Sequence, residues 1–302
     1  MADTSLSSFS EESQHYRRRW IGIALMCATL ICFSGTDALA KWVNQSMDPV
    51  VTVWARYLSG ALLTALVINP RTKPGVLRSR RLPLQLLRSF LLFSTTICNF
   101  IALKYLQLVE TTSITFSTPL IVALLAGPFL GEWVGMRRLI AIGVGFIGIL
   151  VITRPGMGTM HPAVLLCIAS AFCYAFYVIV TRMLASTDST ATTTIYSSVA
   201  GVVLMTPVMP FFWTTPPTLS TWIGLISVGA IASFGHWLLV MAHARAPAAV
   251  LAPFIYTQIV WMLALGYIIF GDWPDPWTFV GAGIVIASGL YLLSRERIKK
   301  AA

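Results

Sequence analysis

The sequence predicts an all-α membrane protein: ten transmembrane helices arranged as two inverted five-helix repeats. Three observations carry that reading, namely sparse charge in an apolar chain, ten apolar runs of membrane-spanning length, and a correspondence between the two halves at an offset of 140 or 141 residues. Of the 302 residues 57% are hydrophobic and only 11% charged, against about 25% charged in an ordinary soluble domain. The formal charge of +10 is spread between apolar runs and not gathered on one basic, aromatic-interleaved element, so no nucleic-acid partner is expected. Cys27, Cys32, Cys98, Cys167 and Cys173 all lie inside apolar runs without a C-x-x-C pair, which argues against a disulfide framework or a zinc site.

The apolar runs fall at residues 20–43, 49–69, 83–104, 111–130, 138–153, 161–182, 190–213, 219–243, 248–270 and 276–294. Each approaches the roughly 20 residues a helix needs to cross the hydrocarbon core. Residues 1–18, rich in Ser and Glu up to Arg17, read as a polar tail of irregular structure, 19–155 as the first repeat, 156–295 as the second, and 296–302 as a short second tail. If the tails and even-numbered loops face the cytoplasm, that side carries Arg17 to Arg19, Arg71, Lys73, Arg78, Arg80, Arg81, Arg137, Arg138, Arg182, Arg245, Arg295, Arg297, Lys299 and Lys300. The opposite loops carry only Lys104 and Arg154. The positive-inside bias therefore places both termini in the cytoplasm of a multi-pass inner-membrane protein. Arg17 to Arg19 followed by an apolar stretch and Ala38-Leu39-Ala40 also imitates a signal peptide, but a repeat copy of the first run exists, which marks that run as structural.

The repeat is legible residue by residue. A-T-L-I-C-F (Ala28 to Phe33) meets A-S-A-F-C-Y (Ala169 to Tyr174), Lys41 meets Arg182, Phe116 meets Tyr256, Ser117 meets Thr257, and Gly131-Glu132-Trp133 meets Gly271-Asp272-Trp273. A unit of five spans is odd, so its copy enters the membrane from the other side, the arrangement in which two halves rock about a central site. Pro119, Leu120, Leu124, Leu125, Leu130, Gly131 and Glu132, followed by Gly143, Gly145 and Gly148, resemble the EamA type of the drug/metabolite transporter superfamily. Gly271, Asp272 and Gly283 echo that pattern in the second half. The resemblance implies a transporter of small organic metabolites, with substrates across the superfamily ranging from amino acids and riboflavin to nucleotide-like compounds and drugs. Gln258 and Ile259 stand where the first half has Thr118 and Pro119, which predicts a broken helix in the first half only.

Candidate site residues are the polar groups inside the spans. Asp37 and Arg56 each fall roughly 10 Å deep at 1.5 Å per residue, and Lys41 follows Asp37 by four, on the same helix face. The expectation is that Arg56, Lys41 or both hold Asp37 ionised, either as a bridge between helices or as a substrate or proton site. Asn99, Thr118, Tyr256, Gln258 and Trp261 complete the expected substrate-binding set, and His236 joins Asp37 as a proton-coupling candidate. Arg88 reads as a cation close enough to the cytoplasmic face to snorkel, and Glu132 and Asp272 as helix-entry caps. Trp42, Trp54, Trp237 and Tyr177 stand at similar depths, as interface anchors or cavity walls.

No G-x-x-x-x-G-K-[ST] phosphate loop, cofactor motif or metal-ligand spacing occurs, so a gradient-driven transporter without cofactor or metal is expected. Riboflavin is the single best substrate expectation, by resemblance and aromatic content, with export of amino acids or related metabolites as the alternative. A polytopic membrane enzyme would need clustered nucleophile, base or metal ligands at one face, and none stands out. The expected partners are a small-molecule substrate and the lipid bilayer; a homodimer is compatible with such a bundle.

Overall fold

The computed structural model describes residues 2–67, 75–131, 133, 135–154, 161–184, 187–246 and 248–301. The described residues contain helices and turns, with no strand. The first half comprises α1 (Ala2–Val43), α2 (Pro49–Val67), α3 (Leu82–Leu103), α4 (Leu108–Thr115), α5 (Thr118–Leu130) and α6 (Met136–Thr153). The second comprises α7 (Ala163–Leu184), α8 (Thr190–Met205), the short α9 (Met209–Phe212), α10 (Leu219–His243), α11 (Ala248–Leu251), a 3-10 turn (Ala252–Thr257), α12 (Gln258–Leu265), a π turn (Gly266–Phe270) and α13 (Pro276–Ala301).

Among the described residues six segments are long and apolar enough to cross a membrane: Arg17–Val43, Pro49–Leu66, Leu82–Leu103, Leu108–Phe129, Ala163–Leu184 and Leu219–His243. Four of the expected runs appear as shorter apolar helices, at Leu139–Thr153, Ala191–Met205, Phe254–Phe270 and Pro276–Tyr291. The chain is a multi-pass membrane protein. The N-terminal stretch expected to be irregular is instead the first part of α1. No Pro or Gly precedes Gly22, so nothing in the backbone stops the helix from extending beyond its apolar part.

The packing treats the two halves alike. α1 packs on α10 as α3 packs on α7; α2 meets α10 as α8 meets α3; α1 meets α12 as α7 meets α5; α6 pairs with α13 and α2 with α8. Exchanging α1 with α7, α2 with α8, α3 with α10, α5 with α12 and α6 with α13 leaves that set unchanged. Small residues let the last pair approach closely, because lipid tails supply no hydrophobic drive between helices. A Cβ on Gly148 would meet the Gly281 carbonyl at 2.9 Å. Gly131 and Gly271, the repeat counterparts of one another, both end a helical segment with positive φ, 72° and 69°, a conformation glycine adopts without steric cost.

The expected break in the first half is present: α4 ends at Thr115 and α5 begins at Thr118, with Pro119 in its first turn. The second half is also broken, contrary to expectation, because α11 gives way to a 3-10 turn before α12. Pro253, in the first turn of that 3-10 segment, lacks the N–H an α-helix interior uses. It lies 134 positions after Pro119 and not 140 or 141, so the repeat offset hides it. At the two breaks the counterparts Phe116 and Tyr256 touch each other edge to face, with ring centroids 5.1 Å apart at 78°.

Candidate functional site

Two groups of polar side chains occupy the bundle interior. The first lies where α1, α2, α3 and α10 converge, walled by the buried Ala38, Val53, Tyr57, Phe100 and Val228. Asp37 of α1 accepts a hydrogen bond from Asn99 Nδ2 of α3 at 3.2 Å. One turn earlier on α3, Thr96 accepts from Arg56 Nη1 at 3.2 Å and shares a 3.1 Å hydrogen bond with Tyr57. The Arg56 guanidinium lies 5.4 Å from the Tyr57 ring centre and 5.7 Å from that of Phe100. Its Nε is buried with no hydrogen-bond partner. His236 of α10 packs beside Phe33 at 4.9 Å. The Arg56 charge reaches both Asp37 and His236.

This corrects the expected pairing. Among the described residues the direct ion pairs are Lys41–Asp272, at 2.5 Å, and Arg154–Asp275. Asp37 belongs to neither. Lys41 sits one turn nearer the end of α1, where the Gly271 turn presents Asp272, and its ammonium also lies 4.7 Å from the Phe270 ring centre. Asp272 is therefore an ion-pair partner across the two halves and not simply a helix cap. Glu132, expected to be a cap as well, lies outside the described residues. Asp275, in the loop before α13, has its carboxyl held below the usual range. Its modest burial works the other way, but the Thr278 N–H bond and the Arg154 charge prevail.

Arg88 does not snorkel. It is 6% exposed and donates to Thr181 Oγ1 (2.7 Å), the Thr193 carbonyl (3.2 Å), Ser197 Oγ (2.6 Å) and Tyr177 OH (2.7 Å), with its guanidinium 4.6 Å from the Tyr177 ring centre. The four acceptors offered by α7 and α8 are a nearer source of solvation than the membrane surface. Tyr177 is accordingly a partner of Arg88 and not an interface anchor.

The second group gathers at the helix breaks. Thr118, the first residue of α5, and Tyr256, in the 3-10 turn, are both buried, and their hydroxyl oxygens have no hydrogen-bond partner. Gln258 opens α12 half-buried, and Trp261 follows one turn later, partly exposed. α12 contacts α1 and α4, yet among the described residues none of these four side chains hydrogen-bonds Asp37 or Arg56. The structure thus joins Asp37, Arg56, Asn99 and His236 in one neighbourhood and leaves Thr118, Tyr256, Gln258 and Trp261 in another. Thr96, Tyr57 and Phe100 escaped the sequence reading. The spacing of Thr96 and Asn99, three apart and so on one helix face, was the available signal.

The chain is similar to the S-adenosylmethionine uptake transporter of Rickettsia bellii, 26% identical over 277 residues covering 92% of this chain and 94% of that protein. It is also similar to the riboflavin transporter of Vibrio cholerae, 28% identical over 287 residues covering 92% and 94%. A solved crystal structure at 18% identity and TM-score 0.62, covering 91% of this chain and 98% of its own, has the same fold. The model of the EamA-like transporter family matches twice, at residues 20–154 and 161–295. With both halves matched, the chain belongs to the EamA-like transporter family, and it is a small-molecule transporter.

Proposed function

We propose that the chain is a secondary transporter of an amino-acid-bearing metabolite, binding it between Asp37 and Arg56 and releasing it by alternating access of two inverted repeats. The single observation that carries this is the incomplete satisfaction of two opposite charges in one place. Arg56 keeps a buried, unpartnered Nε, and Asp37 makes one 3.2 Å hydrogen bond. A guanidinium with spare donors suits a carboxylate, and a carboxylate with spare lone pairs suits an ammonium or sulfonium. The site draws α1, α2 and α3 from one repeat and α10 from the other, as rocking about a shared site requires. The exchange-invariant packing supports the twofold repeat, the odd number of spans in each half supports its inversion, and the arginine and lysine distribution supports cytoplasmic termini in an inner membrane.

S-adenosylmethionine carries the required carboxylate and ammonium, and a relative is named for its uptake. Riboflavin is the second reading, favoured by relatives named as its transporters and by the rings of Phe33, Tyr57 and Phe100 about the site. It bears neither charge, so Asp37 and Arg56 would meet it through hydrogen bonds to its hydroxyl and imide groups and not through charge pairing. Asp37 and His236 are the proton-coupling candidates in either reading.

The test is uptake of radiolabelled S-adenosylmethionine, riboflavin and amino acids by cells expressing the wild type, Arg56→Met or Asp37→Asn, with membrane levels of each protein measured in parallel. Uptake of a zwitterion that Arg56→Met abolishes supports the reading. Riboflavin uptake with no uptake of a zwitterion overturns it in favour of the second.

A further inference from the structure

At the end of the bundle that carries the Lys41–Asp272 pair lies a cavity of about 320 Å³, within the size range of small-molecule sites. Asp37, Arg56, Asn99 and His236 are not part of its lining. Its charged and aromatic walls are Lys41, Tyr105, Glu110, Arg154, His161 and Asp272, Gln107 and Thr153 add neutral polar groups, and its apolar lining includes Ile114, Ile152 and Val164. Two cations and two carboxylates thus line one small space, a balance that disfavours a simple anion or cation and suits a solute bearing both charges.

Three details describe how such a solute is held. Tyr105 and His161 stack nearly parallel, 4.9 Å between ring centres at 18°, and both are exposed. His161 Nδ1 accepts from the Ala163 N–H at 3.1 Å, so the neutral ring carries its proton on Nε2 and offers it as a donor. Arg154 ion-pairs with Asp275 through Nη2, yet its Nε is buried with no hydrogen-bond partner. An unpartnered buried donor costs free energy that a ligand acceptor recovers. Lys41 and Asp272 line the cavity and also bind each other, tying α1 of the first repeat to the second.

We infer that this cavity is a second ligand site, a vestibule that takes a small zwitterion carrying a flat ring. The ring lies against the Tyr105–His161 stack, the carboxylate faces Arg154, and the ammonium faces Glu110 and Asp272. Its charges compete for Lys41 and Asp272, so occupancy loosens the ion pair that closes this end between the repeats. The inference rests on the transporter reading above.

The test measures equilibrium binding of radiolabelled S-adenosylmethionine, the probe, to the full-length protein in lipid nanodiscs. The wild type is expected to bind in two components. Tyr105→Ala combined with His161→Ala removes one, and Arg56→Met removes the other. Arg154→Lys, which keeps the charge and loses the Nε donor, weakens only the first component, by about tenfold. A single component untouched by the Tyr105 and His161 substitutions overturns the inference, as does a lack of any binding at millimolar probe. Two components that both survive Arg56→Met overturn the central site and leave the vestibule standing. Size-exclusion chromatography of each variant separates lost binding from lost folding.

Discussion

Arg56 and Arg88 are both cations inside the helical bundle, and the fold treats them in opposite ways. Arg88 has four hydrogen-bond acceptors, one of them Ser197, which stands 141 positions after Arg56; the same offset sets the apolar Val178 against Asp37. The second-half counterpart of Arg56 is thus consumed in solvating an arginine brought by α3, and that of Asp37 carries no charge. In the first half Arg56 has Thr96 as a hydrogen-bond acceptor and keeps an unpartnered Nε, and the α10 position opposite, Gly229, packs against the Arg56 backbone. A buried charge whose nitrogens all have acceptors holds helices together; one with a nitrogen to spare is available to a ligand. The difference teaches that two repeats sharing a backbone plan carry different polar side chains on it, so that one arginine is solvated by the fold while the other, at the proposed site, keeps a donor to spare.

The largest effect that tests this comparison is on folding. Arg88→Met leaves the Tyr177, Thr181 and Ser197 hydroxyl oxygens without their arginine donor and is expected to destabilise by about 3 kcal/mol or more. Thermal unfolding in detergent and the amount of protein reaching the membrane measure it. An Arg88→Met protein of normal stability that no longer transports would break the assignment. Next come Asp37→Asn and Arg56→Met, expected to cut transport about a hundredfold while stability stays within about 1 kcal/mol. Uptake rates normalised to membrane protein decide it, and a variant that fails to accumulate would make the Asp37 neighbourhood structural too.

A smaller effect is expected at the Lys41–Asp272 pair. Because both side chains are partly exposed, Lys41→Met and Asp272→Asn should each cost about 1 kcal/mol or less. The double variant should lose less than the sum, and a thermal-stability double-mutant cycle with no coupling would show the pair to be idle. The smallest effect concerns acid. The Asp275 carboxyl lies below its usual range in the folded chain, so it adds stability above the ordinary carboxylate pKa of about 4 that fades as pH falls through the depressed value. Asp275→Asn is expected to flatten that part of the melting-temperature profile slightly, and identical profiles for both proteins would remove the contribution.

Much of this architecture was legible in the residues. The apolar runs located the helices, although four of them are short, because helix ends depend on caps and turns that hydropathy does not register. The G-E-W and G-D-W repeats marked two turns whose glycines take the same left-handed conformation. Asp37 and Asn99 were singled out as polar residues in apolar spans, and the structure joins them. The partner of Lys41 was misread, since i,i+4 spacing favoured Asp37 and the actual partner lies 231 residues away. Arg88 was misread for a related reason: depth along its own helix says nothing about acceptors that α7 and α8 bring. Even the second helix break, with Pro253 in plain view, was obscured by the repeat offset.

Local chemistry was therefore enough for the helices, the twofold repetition and the presence of charges that must be compensated, because hydrophobicity, chain length and glycine conformation act on neighbouring residues. Which charge meets which was decided only when the helices packed. Coulomb attraction and hydrogen bonding depend on distance in space, and in a chain of repeats the same sequence position can be filled, emptied or turned to a different partner by an element from the other half.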